Sequence, residues 1–327
     1  MHLGLDRHGI EPLAAGERTL SPRGLLAIWL APGLGLVPFG VGLIAAAQMI
    51  GLGWWDGLAA IALGSVAAAG LVASVAAAGA PAGVPQMAVG RASFGRAIVL
   101  PALVDWAGLV TWSGIFTVFG AQALADLTGE GIDLGVWLVV MALGQAALAI
   151  VGLPLIRRFD AYAAVALAVA FAAITAVLAG HLDLSLGDGP NSDPATFVLM
   201  VAVAFGLNLG WAVTAADYAR YVTPGTTRRA IFGVTFAGLA VPAIWLEGLG
   251  LAVARAAPAA ADPVQAFQEL VGGGPWGAVA MGAVVVATLA ANGMLLYSAS
   301  LSLLATGIRV SRPAIASLSS GMALAVA

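Results

Sequence analysis

Long apolar stretches alternate along the chain with short connections rich in glycine, proline or charge. The stretches fall near 24–50, 55–79, 97–122, 134–153, 160–180, 195–219, 230–254 and 275–305. Each reaches the roughly 20 residues that carry a helix across a bilayer core, and none alternates in the two-residue period of a barrel strand. The pattern predicts an all-α polytopic membrane protein with one membrane domain over 1–327, a polar segment over 1–23 and eight spans. A weakly apolar run over 313–327 is expected as the start of a truncated ninth helix, too short to cross untilted.

Charge orients the spans. All thirteen basic residues are arginine. Arg7, Arg18 and Arg23 precede the first span; Arg91 and Arg96 follow the second; Arg157 and Arg158 follow the fourth; Arg220, Arg228 and Arg229 follow the sixth; Arg309 and Arg312 follow the eighth. The other connections carry Asp56, Asp126, Glu130, Asp133, Asp183, Asp188 and Asp193, with Arg255 the one arginine among them. The positive-inside rule makes the arginine side, and the amino terminus, cytoplasmic. Arginine without lysine, among so much alanine and glycine, suits a GC-rich bacterial genome and hence a bacterial inner membrane. Residues are 61% hydrophobic and 9% charged, with no basic cluster for nucleic acid. Without cysteine, lysine or an HExxH pair, and with His2, His8 and His181 all outside the spans, neither an enzyme nor a cofactor is expected.

Two spans are interrupted. Val201–Tyr221, in the sixth, carries Gly206, Asn208, Gly210, Trp211, Thr214 and Asp217; the first crowds Pro32, Gly33, Gly35, Pro38, Gly40 and Gly42 into its centre and is expected to kink or unwind over 32–40. Five helices apart and entering from opposite sides, they point to inverted repeats whose broken first helices form a site. Gly206 and Gly210, spaced as GxxxG, are also explained by close helix packing.

Candidate chemistry gathers around these breaks. Asp105, Trp112 and Phe116 are seven and eleven residues apart, within about 20° of one direction on a helix. The two rings suit stacking on a flat heterocycle, or ordinary packing; Asn208 and Asn292 offer donors and acceptors for a ring edge. The intramembrane carboxylates Asp105, Asp217 and Glu247 are candidate carriers of a coupling proton. For Asp217 a structural cap or a pair with Arg220, and for Glu247 an interhelical hydrogen bond, serve equally well.

A resemblance sharpens this reading. His8-Gly-Ile-Glu11 with Glu17-Arg18, Trp29, Gln86 with Arg91-Ala-Ser-Phe-Gly95, Trp112, Gly210-Trp211 with Asp217-Tyr-Ala-Arg220-Tyr221 and Pro224, Glu247-Gly-Leu-Gly250, and Asn292 with Tyr297-Ser298 resemble the nucleobase:cation symporter-1 family, in its purine–cytosine permease branch. The resemblance implies a leucine-transporter-like fold of five helices plus an inverted five, with discontinuous helices 1 and 6 and two further helices, of which this chain would hold an incomplete second repeat. It implies a symporter that imports a nucleobase or related heterocycle, with an inactive truncated fragment, or a permease for thiamine or allantoin, as alternatives. It places substrate contacts in spans one, three, six and eight: Gly35, Pro38, Trp112, Phe116, Asn208, Gly210, Trp211 and Asn292. The hydroxyls that sodium-coupled members carry in span eight fall on Ala290 and Ala291, so a proton is expected over sodium as the coupling ion.

Overall fold

The computed structural model describes residues 5–46, 50–129, 131–179, 189, 191, 193–256 and 274–327. Glu130, Asp183, Asp188, His2 and His181 lie outside the described residues. Seven helices are long and apolar enough to cross a membrane, and one bent pair raises the total to eight among the described residues.

Span one is that pair: α1 (Pro22–Gly33) and α2 (Leu36–Ala46), bent by 50°. The break is narrower than 32–40. Pro32 ends inside α1, where its missing N–H costs one bond; Pro38 opens α2, and its ring excludes a helical Leu34 carbonyl four residues back, so the chain lets go at Leu34 and Gly35. Next come α3 (Trp54–Gly79), the short α4 (Gln86–Phe94), α5 (Val99–Thr128), α6 (Leu134–Val151) and α7 (Leu153–Ala179). Hydropathy predicts a connection through residues 154–159, but one residue joins α6 to α7. Gly152 turns the chain at φ 84°, a conformation that costs glycine little, and Arg157 and Arg158 sit within α7.

Span six keeps its course but changes pitch, from α8 (Pro194–Leu209) through a 3-10 turn (Gly210–Thr214) into α9 (Ala215–Ala219). The remaining helices are α10 (Arg228–Ala256), α11 (Pro275–Ala305) and α12 (Arg312–Val326), the last packed on α5, α6 and α11.

Small residues set how closely these helices approach. A Cβ on Gly42 would collide with the Glu247 carbonyl oxygen, one on Gly250 with the Phe39 carbonyl oxygen, and one on Gly64 would lie 2.5 Å from the Val201 carbonyl oxygen. Helix α2 therefore crosses α10, and α3 crosses α8, backbone against backbone, the way small residues let membrane helices pack. Helix α1 runs inside, against α7, α10 and α11.

Candidate functional site

The break in span one and the pitch change in span six face a cavity of ≈ 810 Å³, its open mouth included. Span one contributes Pro32, Gly33, Val37 and Pro38; α5 contributes Leu109, Trp112 and Phe116; span six contributes Gly206, Leu207, Asn208, Gly210 and Trp211. Leu239 and Ala243 of α10 and Leu295 of α11 complete the wall.

Aromatic rings dominate it. Trp112 is 40% exposed while Phe116, one turn on, is buried, with centroids 6.3 Å apart and planes at 44°. Opposite them Trp211 meets buried Trp29 edge to face at 6.0 Å, and Trp29 meets Tyr218 the same way at 5.6 Å. Tyr218 is held in turn by the Met294 carbonyl oxygen at 2.8 Å and Ser298 Oγ at 2.7 Å on α11. Trp211 thus enters the cavity from a fixed backing. The wall offers flat apolar faces with few polar groups, the make-up of a small-molecule site.

Asn208 supplies polarity and binds the cavity to the helices behind it. Its Nδ2 donates to Glu247 Oε1 at 2.8 Å, to the Ala204 carbonyl oxygen at 2.9 Å and to Ser65 Oγ at 3.3 Å, and Ser65 Oγ donates to Glu247 Oε2 at 3.0 Å. Ser65 follows Gly64 at one glycine crossing and Glu247 abuts Gly42 at the other, so backbone contacts assemble the triad.

The sequence profile described as "Permease for cytosine/purines, uracil, thiamine, allantoin" matches residues 12–327. The chain belongs to this permease family. Among its relatives are the putative purine-cytosine permease YxlA of Bacillus subtilis, 27% identical over 91% of this chain and 65% of that protein, and the purine-cytosine permease fcyB of Emericella nidulans, 24% identical over 78% and 50%. The chain thus spans about half to two thirds of the relatives' length. The nucleobase-cation-symport-1 transporter Mhp1, solved in a closed conformation with bromovinylhydantoin bound, superposes with a TM-score of 0.84 at 24% identity, over 99% of this chain and 74% of that one. The fold is therefore the five-plus-five type with discontinuous helices 1 and 6, and the relatives are transporters rather than enzymes.

Of the permease's predicted site residues, Pro38, Trp112, Phe116, Asn208, Gly210 and Trp211 line the cavity together. Gly35 does not: it is buried, and a Cβ there would lie 3.2 Å from Ala287 Cβ on α11. Asn292 is also set back. Its Nδ2 donates to the Ser113 carbonyl oxygen at 3.2 Å and to Gln145 Oε1, while Thr117 Oγ1 lies 3.0 Å from the same Gln145 oxygen, so it ties α11 to α5 and α6.

Glu247 stands directly behind the cavity wall, bonded to Asn208, whereas Asp105 and Asp217 are not among the lining residues. Asp105 shares the direction of Trp112 but lies about 10 Å along the helix from it, where it accepts from Ser302 Oγ at 2.5 Å. Asp217 Oδ1 accepts from the Gln86 backbone N–H at 2.8 Å, and Gln86 Oε1 accepts from the Ala216 N–H at 3.2 Å; Asp217 thereby caps α4 and ties it to α9. Among the described residues no group of three or more His, Cys, Asp or Glu could hold a metal.

At the face carrying the amino terminus, residues 5–20 lie across the helix ends as a strap. Asp6 N–H donates to the Val151 carbonyl oxygen, Leu20 N–H donates to the Tyr221 carbonyl oxygen, and the Leu20 carbonyl oxygen accepts from Thr223 N–H. Arg220, buried, donates to the Gly9 carbonyl oxygen at 2.7 Å and to Tyr297 Oη at 3.1 Å, and Arg312 donates to the Asp6 and Ala149 carbonyl oxygens. Burial opposes charge on Asp6, but Arg312 and the bonds from His8 and Tyr221 hold its carboxyl below the usual 3.8. His8 bridges Asp6 Oδ1 and Glu17 Oε1, each at 2.9 Å. Partial burial works against its charge, but the bonds to Glu17 and Asp6 prevail and raise it above 6.5.

Sequence reasoning overlooked Ser65, Gln145, Thr117 and Asp160. For Ser65, Gln145 and Thr117 the signal was available, since each is a polar residue well inside an apolar span; Asp160 stands at the edge of the expected span 160–180, and only the earlier start of α7 brings it inside.

Proposed function

We propose that this chain is the membrane unit of a secondary transporter that imports a nucleobase or closely related planar heterocycle by cation-coupled alternating access, with the proton as coupling ion. The observation that carries the reading is the cavity at the two helix breaks, walled by Trp112, Phe116 and Trp211 with the Asn208 amide beside them. Aromatic faces stack on a flat ring at roughly 1–3 kcal/mol each, and the amide together with backbone at Gly206 and Gly210 supplies edge recognition. The family's description includes cytosine, purines and uracil, which are of this chemical class, beside thiamine and allantoin. Alanine at 290 and 291 leaves a sodium ion short of hydroxyl ligands, which favours the proton. The arginine distribution supports a cytoplasmic amino terminus in a bacterial inner membrane, with Arg18, Arg157 and Arg312 at the cytoplasmic end.

Uptake of radiolabelled cytosine and adenine by cells expressing the chain, with pH and sodium gradients imposed separately, tests the reading. Accumulation driven by the pH gradient alone is expected. Accumulation that needs sodium would reassign the ion, and no uptake by a verified membrane-inserted chain, across a panel that adds uracil, thiamine and allantoin, would overturn the proposal.

A further inference from the structure

Helix α7 buries one stripe, Leu153, Ile156, Ala163, Ala164, Leu167, Phe171 and Ile174, and Asp160 stands in the middle of it at 1% exposure. Neither of its carboxylate oxygens has a hydrogen-bond partner among the described residues. The stripe below it joins the cluster of Trp29, Tyr218 and Met294; the stripe above joins Ala31, Ala287 and Ala290. Asp160 therefore lies where the two cores meet, beside α1 just before its break.

Two other groups share its depth and its lack of partners. Trp29 Nε1 and Thr235 Oγ1, both on fully buried residues, are also without a partner among the described residues. Trp29, Asp160 and Thr235 each stand seven residues from the start of their helices, α1 at Pro22, α7 at Leu153 and α10 at Arg228. All three helices begin at the strapped face, so the residues lie about 10 Å in from it, and α1 packs against both α7 and α10. A donor, a hydroxyl and a carboxylate thus stand at one level, on α1 and on two helices packed against it. One idle buried polar group is a local defect; three at one depth on neighbouring helices point to a site.

An isolated carboxylate in apolar surroundings becomes tolerable by binding a cation. A metal ion would need several oxygen ligands, and the stripe offers Ile156, Ala163 and Ala164 instead. A proton needs only the carboxylate. We propose that Asp160, with Trp29 and Thr235 at its level on neighbouring helices, is the binding site of the coupling proton. The inference rests on the transporter reading above. Charged or titratable groups on the elements packed against α7 are Arg23 on α1 and Tyr297 on α11, with none on α6; α9 adds Asp217 and Tyr218, the latter within electrostatic reach, and α7 itself carries Arg157, Arg158 and the exposed Tyr162. Opening of the strapped face wets Asp160 and lets the proton leave, whereas closure keeps it dry.

The test uses the purified chain in liposomes, with cytosine as probe. Wild type is expected to accumulate cytosine under an inward proton gradient without sodium. Asp160→Asn is expected to lose accumulation yet keep exchange of external for preloaded cytosine, which moves no net proton, and Asp160→Glu to regain accumulation. Infrared difference spectra across a pH titration should show a protonated-carboxyl band in wild type that is missing in Asp160→Asn and shifted in Asp160→Glu. Accumulation by Asp160→Asn equal to wild type, or identical carboxyl bands in the two proteins, would overturn the assignment. Failure of the transporter reading looks different: wild type itself neither accumulates nor exchanges, and the infrared comparison still decides whether Asp160 binds a proton. If Asp160→Asn does not fold, the Asp160→Glu band shift decides alone.

Discussion

Glu247 is an intramembrane carboxylate, a class that costs about 2.5–3.5 kcal/mol at a helix centre, and the fold offsets this with donors from Asn208 and Ser65. Asp160 receives no such compensation, and that contrast separates a structural carboxylate from one kept for binding. The same test applies to the aromatics. Trp29 is fully buried behind Trp211 and serves to position it, whereas Trp112 lines the cavity and is 40% exposed, which leaves ring surface to meet a ligand. Trp112→Ala should therefore weaken heterocycle binding by roughly ten- to a hundredfold, from the about 1–3 kcal/mol of one stack, and leave insertion and melting temperature near wild type. Binding measured by scintillation proximity checks this, and undiminished affinity would remove Trp112 from the site.

Helices are where the sequence was most informative and also where it misled. Hydropathy locates the eight spans because each connection carries arginine, acid, glycine or proline, and the helix breaks follow from Pro32, Pro38 and Gly210. The pattern is silent on α4, whose nine residues are short and half polar and whose start is fixed by Asp217, 131 residues away. It is equally silent on depth: Asp105 and Trp112 share a helical face yet are separated along the axis, and Asn292 faces Gln145 rather than the cavity, which only the packing of α5, α6 and α11 decides. Glycine roles also depend on the partner helix. Gly42 and Gly250 let α2 and α10 touch through their backbones, whereas Gly206 and Gly210 have nothing within 4 Å of a built Cβ, so GxxxG packing does not explain them here. Gly42→Leu is expected to drive α2 off α10, cost at least about 1–3 kcal/mol of overpacking and disturb the triad of Glu247, whose backbone it would strike. A thermal-shift assay in detergent reads the loss, while Gly206→Ala should leave the melting temperature within a degree or so, given open space at that position.

For the whole molecule, the strap joins parts that the proposed alternating access would have to separate: Asp6 and Gly9 are held by Arg312 and Arg220, from α12 and the end of span six, and His8 fastens the strap to itself through Asp6 and Glu17. A neutral imidazole has one N–H and satisfies one of these two carboxylates; the imidazolium satisfies both. Because the strapped arrangement raises His8 above 6.5, its contribution is fully present below pH 6.5 and is lost as pH rises through the raised value. Alkaline conditions on this face should therefore loosen the strap and favour opening, and acid conditions should hold it shut. Limited trypsin digestion of the protein in liposomes reports this as the rate of cleavage after Arg7 and Arg18, normalised to cleavage after exposed Arg309 at each pH. The normalised rate should climb across and above neutrality in wild type and be high and flat in His8→Ala. Salt should raise it too, because Glu17 sits in solvent where its attraction to His8 is screened. A flat wild-type profile would show that the strap is held by its other bonds, those of Arg220 and Arg312 among them, with His8 a bystander.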